Sequence, residues 1–249
     1  MGKGQTGREA GQYGIGRALT LQAGKHIFVE KPICMNLVEW EELRAAMEEH
    51  PDQHVMVGFN RRFAPHIQIM KKALEGVSIP KSFIVTVNAG AIPADHWTQD
   101  PQMGGGRIIG EACHFIDLLR FLAGSPIKSF QVSRMDAVTR DTVCITLGFE
   151  DGSLGTIHYM ANGSKSFPKE RVEVFAAGGI MQLDNFRSLR TFGWKGARDM
   201  RLWRQDKGQN ACVSAFMDAL KNGGSTPIPR EEILEVARVT IDINEALQK

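Results

Sequence analysis

Apolar residues in the first sixty positions change period three times. Residues 15–23 carry enough of them at helical spacing to predict a short helix, closed by Gly24. Residues 26–30 form a brief apolar run that predicts a buried strand, and its exit is charged: Glu30, Lys31, then Pro32. Asn36 stands three residues before Glu39, the spacing of a helix-capping box, and Trp40, Leu43 and Met47 give the following helix one apolar stripe. Residues 54–59 predict a second strand. Strand, helix and strand in that order make a parallel β-α-β crossover.

After Asn60-Arg61-Arg62-Phe63 the pattern changes. Pro65 opens a helix with Ile67, Met70 and Leu74 on one face, ended by Gly76. Residues 82–88 alternate as a strand, and a loop rich in Pro, Asp, His, Trp and Gly covers 89–106. A helix over 107–123 places Ile108, Ala112, Phe115, Leu119 and Leu122 on one face. Strands dominate next: 142–149 and 154–160 joined at Asp151-Gly152, then 171–176 and 180–184 joined at Gly178-Gly179, then 188–192 and 200–203. Two helices close the chain, one bearing Val213, Phe216, Met217 and Leu220, the other starting after Pro229. The fold class predicted is α+β: a parallel remnant at 14–60, then at 61–249 a mainly antiparallel open sheet with helices on one face. Residues 1–13 read as disordered or tag-like.

Composition narrows the function classes. A length of 249 residues holds ample core, and a net charge of +2 is too small to imply nucleic acid or an anionic membrane as partner. Four cysteines far apart, with no Cys-x-x-Cys pair, fit reduced thiols in a cytoplasmic protein, and the dispersed histidines argue against a metal site. Gly2-Lys3-Gly4-Gln5-Thr6-Gly7 matches the dinucleotide fingerprint letter for letter but has no buried strand before it, so it is rejected. Gly14-Ile15-Gly16 falls for the same reason.

Candidate chemistry begins at Lys31, because ligands of open α/β sheets bind outside the carboxyl ends of strands. Three blocks then resemble the Gfo/Idh/MocA family of sugar and cyclitol oxidoreductases: AGKHIFVEKP at 23–32, VGFNRRFAP at 57–65, and GGGRIIGEACHFIDLLRFLAG at 104–124. The last is similar to the family's G-G-G-x-L-x-D-x-G-x-H-x-x-D helix. The resemblance implies a Rossmann domain followed by a larger α+β domain, with the site in the cleft between them. It implies NAD or NADP as cofactor and hydride transfer at a carbinol carbon. It maps the catalytic lysine onto Lys31, beside a proline commonly cis in the family, and the catalytic histidine onto His114, with Glu30, Lys31 and Pro32 at the cofactor. A histidine suits proton removal from a hydroxyl near neutral pH, and a fixed lysine suits the developing alkoxide.

Two departures qualify that mapping. The glycine-rich turn of the family's Rossmann half has no counterpart here, so these residues by themselves are expected to bind dinucleotide weakly or not at all. The family's aspartate, four residues before the histidine, falls on Gly110. Asp117, Glu111 or Asp95 are candidates for its role, and Trp97 offers a stacking surface for a sugar. At i, i+4 and i+7 Gly110, His114 and Asp117 share a helix face, whereas Glu111 need not face the cleft. Each residue has a plainer reading too: His114 as a hydrogen-bonded core residue, Asp117 as the brace of an arginine, Trp97 as a loop anchor, Arg61 and Arg62 as pins of the domain junction. A rival function is a non-catalytic ligand-binding or oligomerisation module, and a homodimer or homotetramer through the antiparallel sheet is expected.

Overall fold

The computed structural model describes residues 12–93, 96–99, 105–194 and 196–248. It opens with helix α1 (Gln12–Gln22), strand β1 (Ile27–Val29), helix α2 (Leu37–Glu49) and strand β2 (Val55–Val57). Gly24 takes a φ of +69° after α1, a conformation cheap only for a residue without Cβ. Asn36 caps α2: its side chain accepts from the Glu39 amide at 3.0 Å, while the Glu39 carboxylate accepts from the Met35 amide at 2.9 Å. β1 and β2 pair in parallel, Ile27 opposite Val55 and Val29 opposite Val57. Their carboxyl ends stay in step, since the Gly58 amide donates to the Val29 carbonyl at 2.8 Å.

A 3-10 turn (Asn60–Phe63) leads to α3 (Pro65–Leu74), which buries Ile67, Met70 and Leu74 as its spacing predicts. The second sheet has eight strands: β3 (Ser82–Asn88), β4 (Ile127–Arg134), β5 (Val143–Phe149), β6 (Leu154–Met160), β7 (Glu170–Ala176), β8 (Gly179–Asp184), β9 (Ser188–Phe192) and β10 (Met200–Arg201). Their order is β10-β9-β8-β7-β3-β6-β5-β4, antiparallel throughout except for the parallel β3–β6 pair. Burial alternates along these strands, so one face meets the helices. Two features differ from the sequence pattern. β4 is an edge strand whose residues are mostly exposed, so it shows no apolar alternation. The helix over 107–123 is not one α-helix: Ile108–Ala112 is a π-helical segment and α4 proper runs Cys113–Ala123. Glycines at 105, 106 and 110 weaken an α-helical start, and the wider i→i+5 turn shifts the faces before and after it.

α4 is the central helix, buried nearly all round. It lies against β6, where a Cβ on Gly155 would stand 2.7 Å from Leu119 Cδ1. The last helices are α5 (Gln209–Asn222) and α6 (Arg230–Ala246). α6 bridges the two sheets: the Trp40 indole of α2 donates to the Leu234 carbonyl at 2.8 Å, and the Arg120 guanidinium of α4 donates to Glu235 at 2.9 Å. Phe216 of α5 packs on Phe28 of β1 with ring centroids 5.5 Å apart. Each fully buried large apolar side chain contributes about 1.5–3 kcal/mol, and the buried Val55, Met56 and Val57 of β2 belong to the same core as the apolar residues of α4.

Candidate active site

The strand mouths of β1 and β2 converge on the start of α4. Lys31, half-buried behind the exposed Glu30 and joined to Pro32 by a cis peptide, donates its ammonium to the backbone carbonyl of Gly110. One turn further on, His114 is only 6% exposed. Phe59, just past β2, meets its ring edge-on at 6.1 Å between centroids. Among the described residues no group within hydrogen-bonding distance satisfies His114 Nδ1. Burial, then the charges of Arg61, Lys31, Lys169 and Lys207, pull the His114 pKa well below the usual histidine value, which leaves the imidazole neutral. The ring is neutral and can accept a proton, with its basicity lowered by burial and by the neighbouring cations. The adjacent Cys113 thiol is pushed up to about 12, chiefly by burial, and is no nucleophile.

Two carboxylates organise the cations. Glu170, buried at the start of β7, accepts from Arg61 Nε at 3.1 Å and Nη2 at 2.9 Å, and from Lys207 Nζ at 2.8 Å. Burial would raise its pKa, but Arg61 and Lys207 bring it below the ordinary value. Glu111, within the π-helical segment, accepts from Lys169 Nζ and from the Tyr159 hydroxyl. Burial opposes its ionisation too, yet those two hydrogen bonds hold its carboxyl down at about 2. Arg107 donates to Tyr159 Oη at 2.9 Å and pairs with Asp141 at 3.4 Å and with Glu111 at 3.6 Å.

The structure separates the sequence candidates. Lys31, Gly110 and His114 come together. Glu111 turns to Lys169 and Tyr159. Asp117 is wholly buried on Arg62, accepting from Nε at 3.1 Å and from Nη2, while Arg62 Nη1 reaches Glu232 at 2.8 Å. Burial pushes the Asp117 carboxyl up to about 6 against the pull of Arg62. Glu30 sets its carboxylate against Gly58, where a Cβ would stand 3.0 Å from Oε2. Asp95 lies outside the described residues; Trp97 opens a 3-10 turn (Trp97–Gln99), but its side chain also lies outside them. Sequence reasoning missed Tyr159, Lys169, Glu170 and Lys207. Two of them left a signal: Glu170 shares strand parity with Val172 and Val174, and Tyr159 with Ile157, so both were due to face the core and to need polar partners there. Among the described residues no group of three or more His, Cys, Asp or Glu side chains could hold a metal, and none of the four cysteines forms a disulfide.

A β-α-β unit whose strand mouths present a lysine to a helix-borne histidine, followed by an open sheet, is the layout of a Rossmann-type oxidoreductase. Residues 16–59 match the oxidoreductase family's NAD-binding Rossmann fold, and residues 80–182 match the GFO/IDH/MocA C-terminal domain. The chain belongs to the Gfo/Idh/MocA family of oxidoreductases. It is 30% identical over 174 residues to the "Uncharacterized oxidoreductase YrbE" of Bacillus subtilis, covering 67% of this chain and 50% of that protein. It is 26% identical over 174 residues to myo-inositol 2-dehydrogenase of Thermotoga maritima, covering 67% and 51%. The chain thus spans about half the length of these curated relatives. Among solved structures, levoglucosan dehydrogenase in complex with NADH and levoglucosan shares the fold, with a TM-score of 0.83 at 21% identity over 97% of this chain and 76% of that one. Among the described residues no helix is long and apolar enough to cross a membrane.

Proposed function

We propose that this chain serves an oxidoreductase that moves a hydride between NAD(H) or NADP(H) and a carbinol carbon of a sugar, sugar derivative or cyclitol. Residues 14–60 would close the nucleotide-binding part and 61–249 form the substrate-binding part. The observation that carries this reading is the Lys31 ammonium on the Gly110 carbonyl, one turn ahead of a buried, neutral His114. Inositol 2-dehydrogenases and a levoglucosan dehydrogenase among the similar proteins support the substrate class.

His114 takes the hydroxyl proton, and Lys31 stabilises the alkoxide that forms. Phe59 and the buried Arg61–Glu170 pair keep water from the ring. Glu30, Lys31 and Pro32, at the mouth of β1, are assigned to the nicotinamide end of a dinucleotide. The cofactor, when bound, supplies the hydride acceptor. Asp117 and Glu111 act as positioning residues through Arg62 and Lys169, and Asp95 and Trp97 are assigned to the sugar's hydroxyls and ring. The open face of the large sheet, where Phe175 and Leu154 are exposed, is assigned to a homodimer or homotetramer contact, which light scattering tests.

Residues 1–249 by themselves are expected to bind dinucleotide weakly, since affinity in this fold rests largely on pyrophosphate and ribose contacts at a glycine-rich first turn. Isothermal titration with micromolar NAD(H) or NADP(H) affinity would contradict that. For the reaction, NAD-linked oxidation of polyols by the protein containing this chain should fall about 10²- to 10⁴-fold in both Lys31→Ala and His114→Ala. A rate that survives both changes together makes the chain a binding or oligomerisation module instead.

A further inference from the structure

We propose that Tyr159 and Arg107 are positioning residues, which together fix the π-helical segment so that the Gly110 carbonyl meets the Lys31 ammonium. This rests on the functional reading above and deepens it, since both act through Glu111 and the backbone rather than on the substrate. A five-residue π turn needs support from outside. Gly105 and Gly106, at φ of +68° and +75°, lead into it, Gly110 lies within it, and i→i+5 turns are rare. Arg107, immediately before it, donates from Nη1 to the Gly90 carbonyl at 2.7 Å and from Nη2 to the Ala89 carbonyl at 3.2 Å, both just past β3. Glu111, near its other end, is held by Lys169 Nζ, just before β7. Tyr159 of β6 joins the two anchors: its hydroxyl accepts from Arg107 Nε at 2.9 Å and donates to Glu111 Oε2. The Tyr159 side chain is fully buried, and the Arg107 guanidinium stacks on its ring at 5.2 Å from the centroid.

Gly110 is the residue before Glu111, so its carbonyl lies between the two anchors and cannot turn while both hold. One residue of slip in a helix rotates a group by about 100°, which would carry that carbonyl away from Lys31. A phenol suits the joint: it has one O–H to give to the carboxylate and a lone pair to take from the guanidinium. Burial, then the Glu111 carboxylate, raises the Tyr159 pKa far above its ordinary value, so the hydroxyl keeps the proton it donates. Phenylalanine would fill the same space and do neither. Without the hydroxyl, Arg107 and Glu111 stand 3.6 Å apart with no shared partner, and Lys31 is released to water.

The test follows the His114 ring by NMR in the 249-residue chain as native protein, Tyr159→Phe, Lys31→Met and the double variant. Tyr159→Phe should shift the His114 pKa in the same direction as Lys31→Met and at least about half as far. The double variant should match Lys31→Met alone, because both changes remove one contact. Arg107→Lys, which keeps the charge but loses the planar fork, should act as Tyr159→Phe does. Ile157→Val, two residues before Tyr159 on the same buried face of β6, should lower stability to urea and leave His114 unmoved. In the protein containing this chain, Tyr159→Phe should lower kcat about tenfold or more and change KM less than about threefold. A native His114 pKa in both Tyr159→Phe and Arg107→Lys, a shift that simply adds to that of Lys31→Met, or an equal shift in Ile157→Val would overturn the inference and leave the oxidoreductase reading standing. A coupled shift in a protein that oxidises no polyol would remove that reading and leave the Tyr159–Arg107 support in place.

Discussion

Replacing Asp117 by alanine separates a structural carboxylate from a substrate ligand. In the native chain the Arg62 side chain is 2% exposed and stacks over Phe121 at 4.9 Å from its ring centroid. Asp117 accepts from two of its nitrogens, and only Nη1 has another partner, Glu232. Asp117→Ala strands a buried guanidinium with one carboxylate on its outer edge. Breaking a buried pair by removing one partner costs about 3–5 kcal/mol, a large share of the roughly 5–15 kcal/mol that holds a domain folded. With a urea dependence near 3 kcal/mol/M the unfolding midpoint falls by about 1–1.7 M. Asp117→Asn, which keeps an acceptor oxygen, should lose about half as much. Arg62→Met with Asp117→Leu removes both charges and should recover most of the loss. Equilibrium urea unfolding followed by circular dichroism measures all three. A loss below about 1 kcal/mol in Asp117→Ala, accompanied by abolished polyol binding, would refute the bracing role.

The remaining predictions rest on other contacts. Glu111 titrates at about 2 in the fold against an ordinary 4.5, so its ionised form contributes stability that is present above pH 4.5 and lost as pH falls towards 2. That contribution is on the order of 3 kcal/mol, and Glu111→Gln should show a correspondingly flatter loss of stability on acidification in urea titrations at several pH values. An unchanged acid limb would contradict the Lys169–Glu111–Tyr159 arrangement. Gly208 caps α5 at φ +82°, and a Cβ there would stand 2.5 Å from both the Ala64 nitrogen and the Asn60 carbonyl. Gly208→Ala should therefore cost about 2 kcal/mol or more in thermal or urea unfolding, because backbone on both sides would have to move.

Elements with strong local signals were legible in the sequence. The Asn36–Glu39 cap, the β-α-β unit and the apolar stripe of α3 all depend on neighbours within a few residues, and each forms where the pattern places it. β4 was not legible: an exposed edge strand has little apolar alternation to show. The π-helical segment was equally hidden, since nothing in the local spacing marks it and its Gly110 carbonyl meets Lys31, 79 residues away in sequence. His114 and Asp117 both lie in α4, and the Asp117 carboxylate is taken up by Arg62, the plainer of its two readings from the sequence. Lys31 and His114 could be singled out from their motifs. Their charged surroundings come from β6, β7 and the approach to α5, between 45 and 93 residues after His114, and only tertiary packing brings them in.

The central claim is that Lys31 and His114 act on one another across a shared site. Titration of His114 by NMR in the native chain and in Lys31→Met tests it without cofactor or substrate. The account predicts a native His114 pKa well below 6.5, with the direction of change in Lys31→Met upward, because a cation that disfavours imidazolium has been removed. A His114 that titrates near 6.5 and ignores the loss of Lys31 would contradict it.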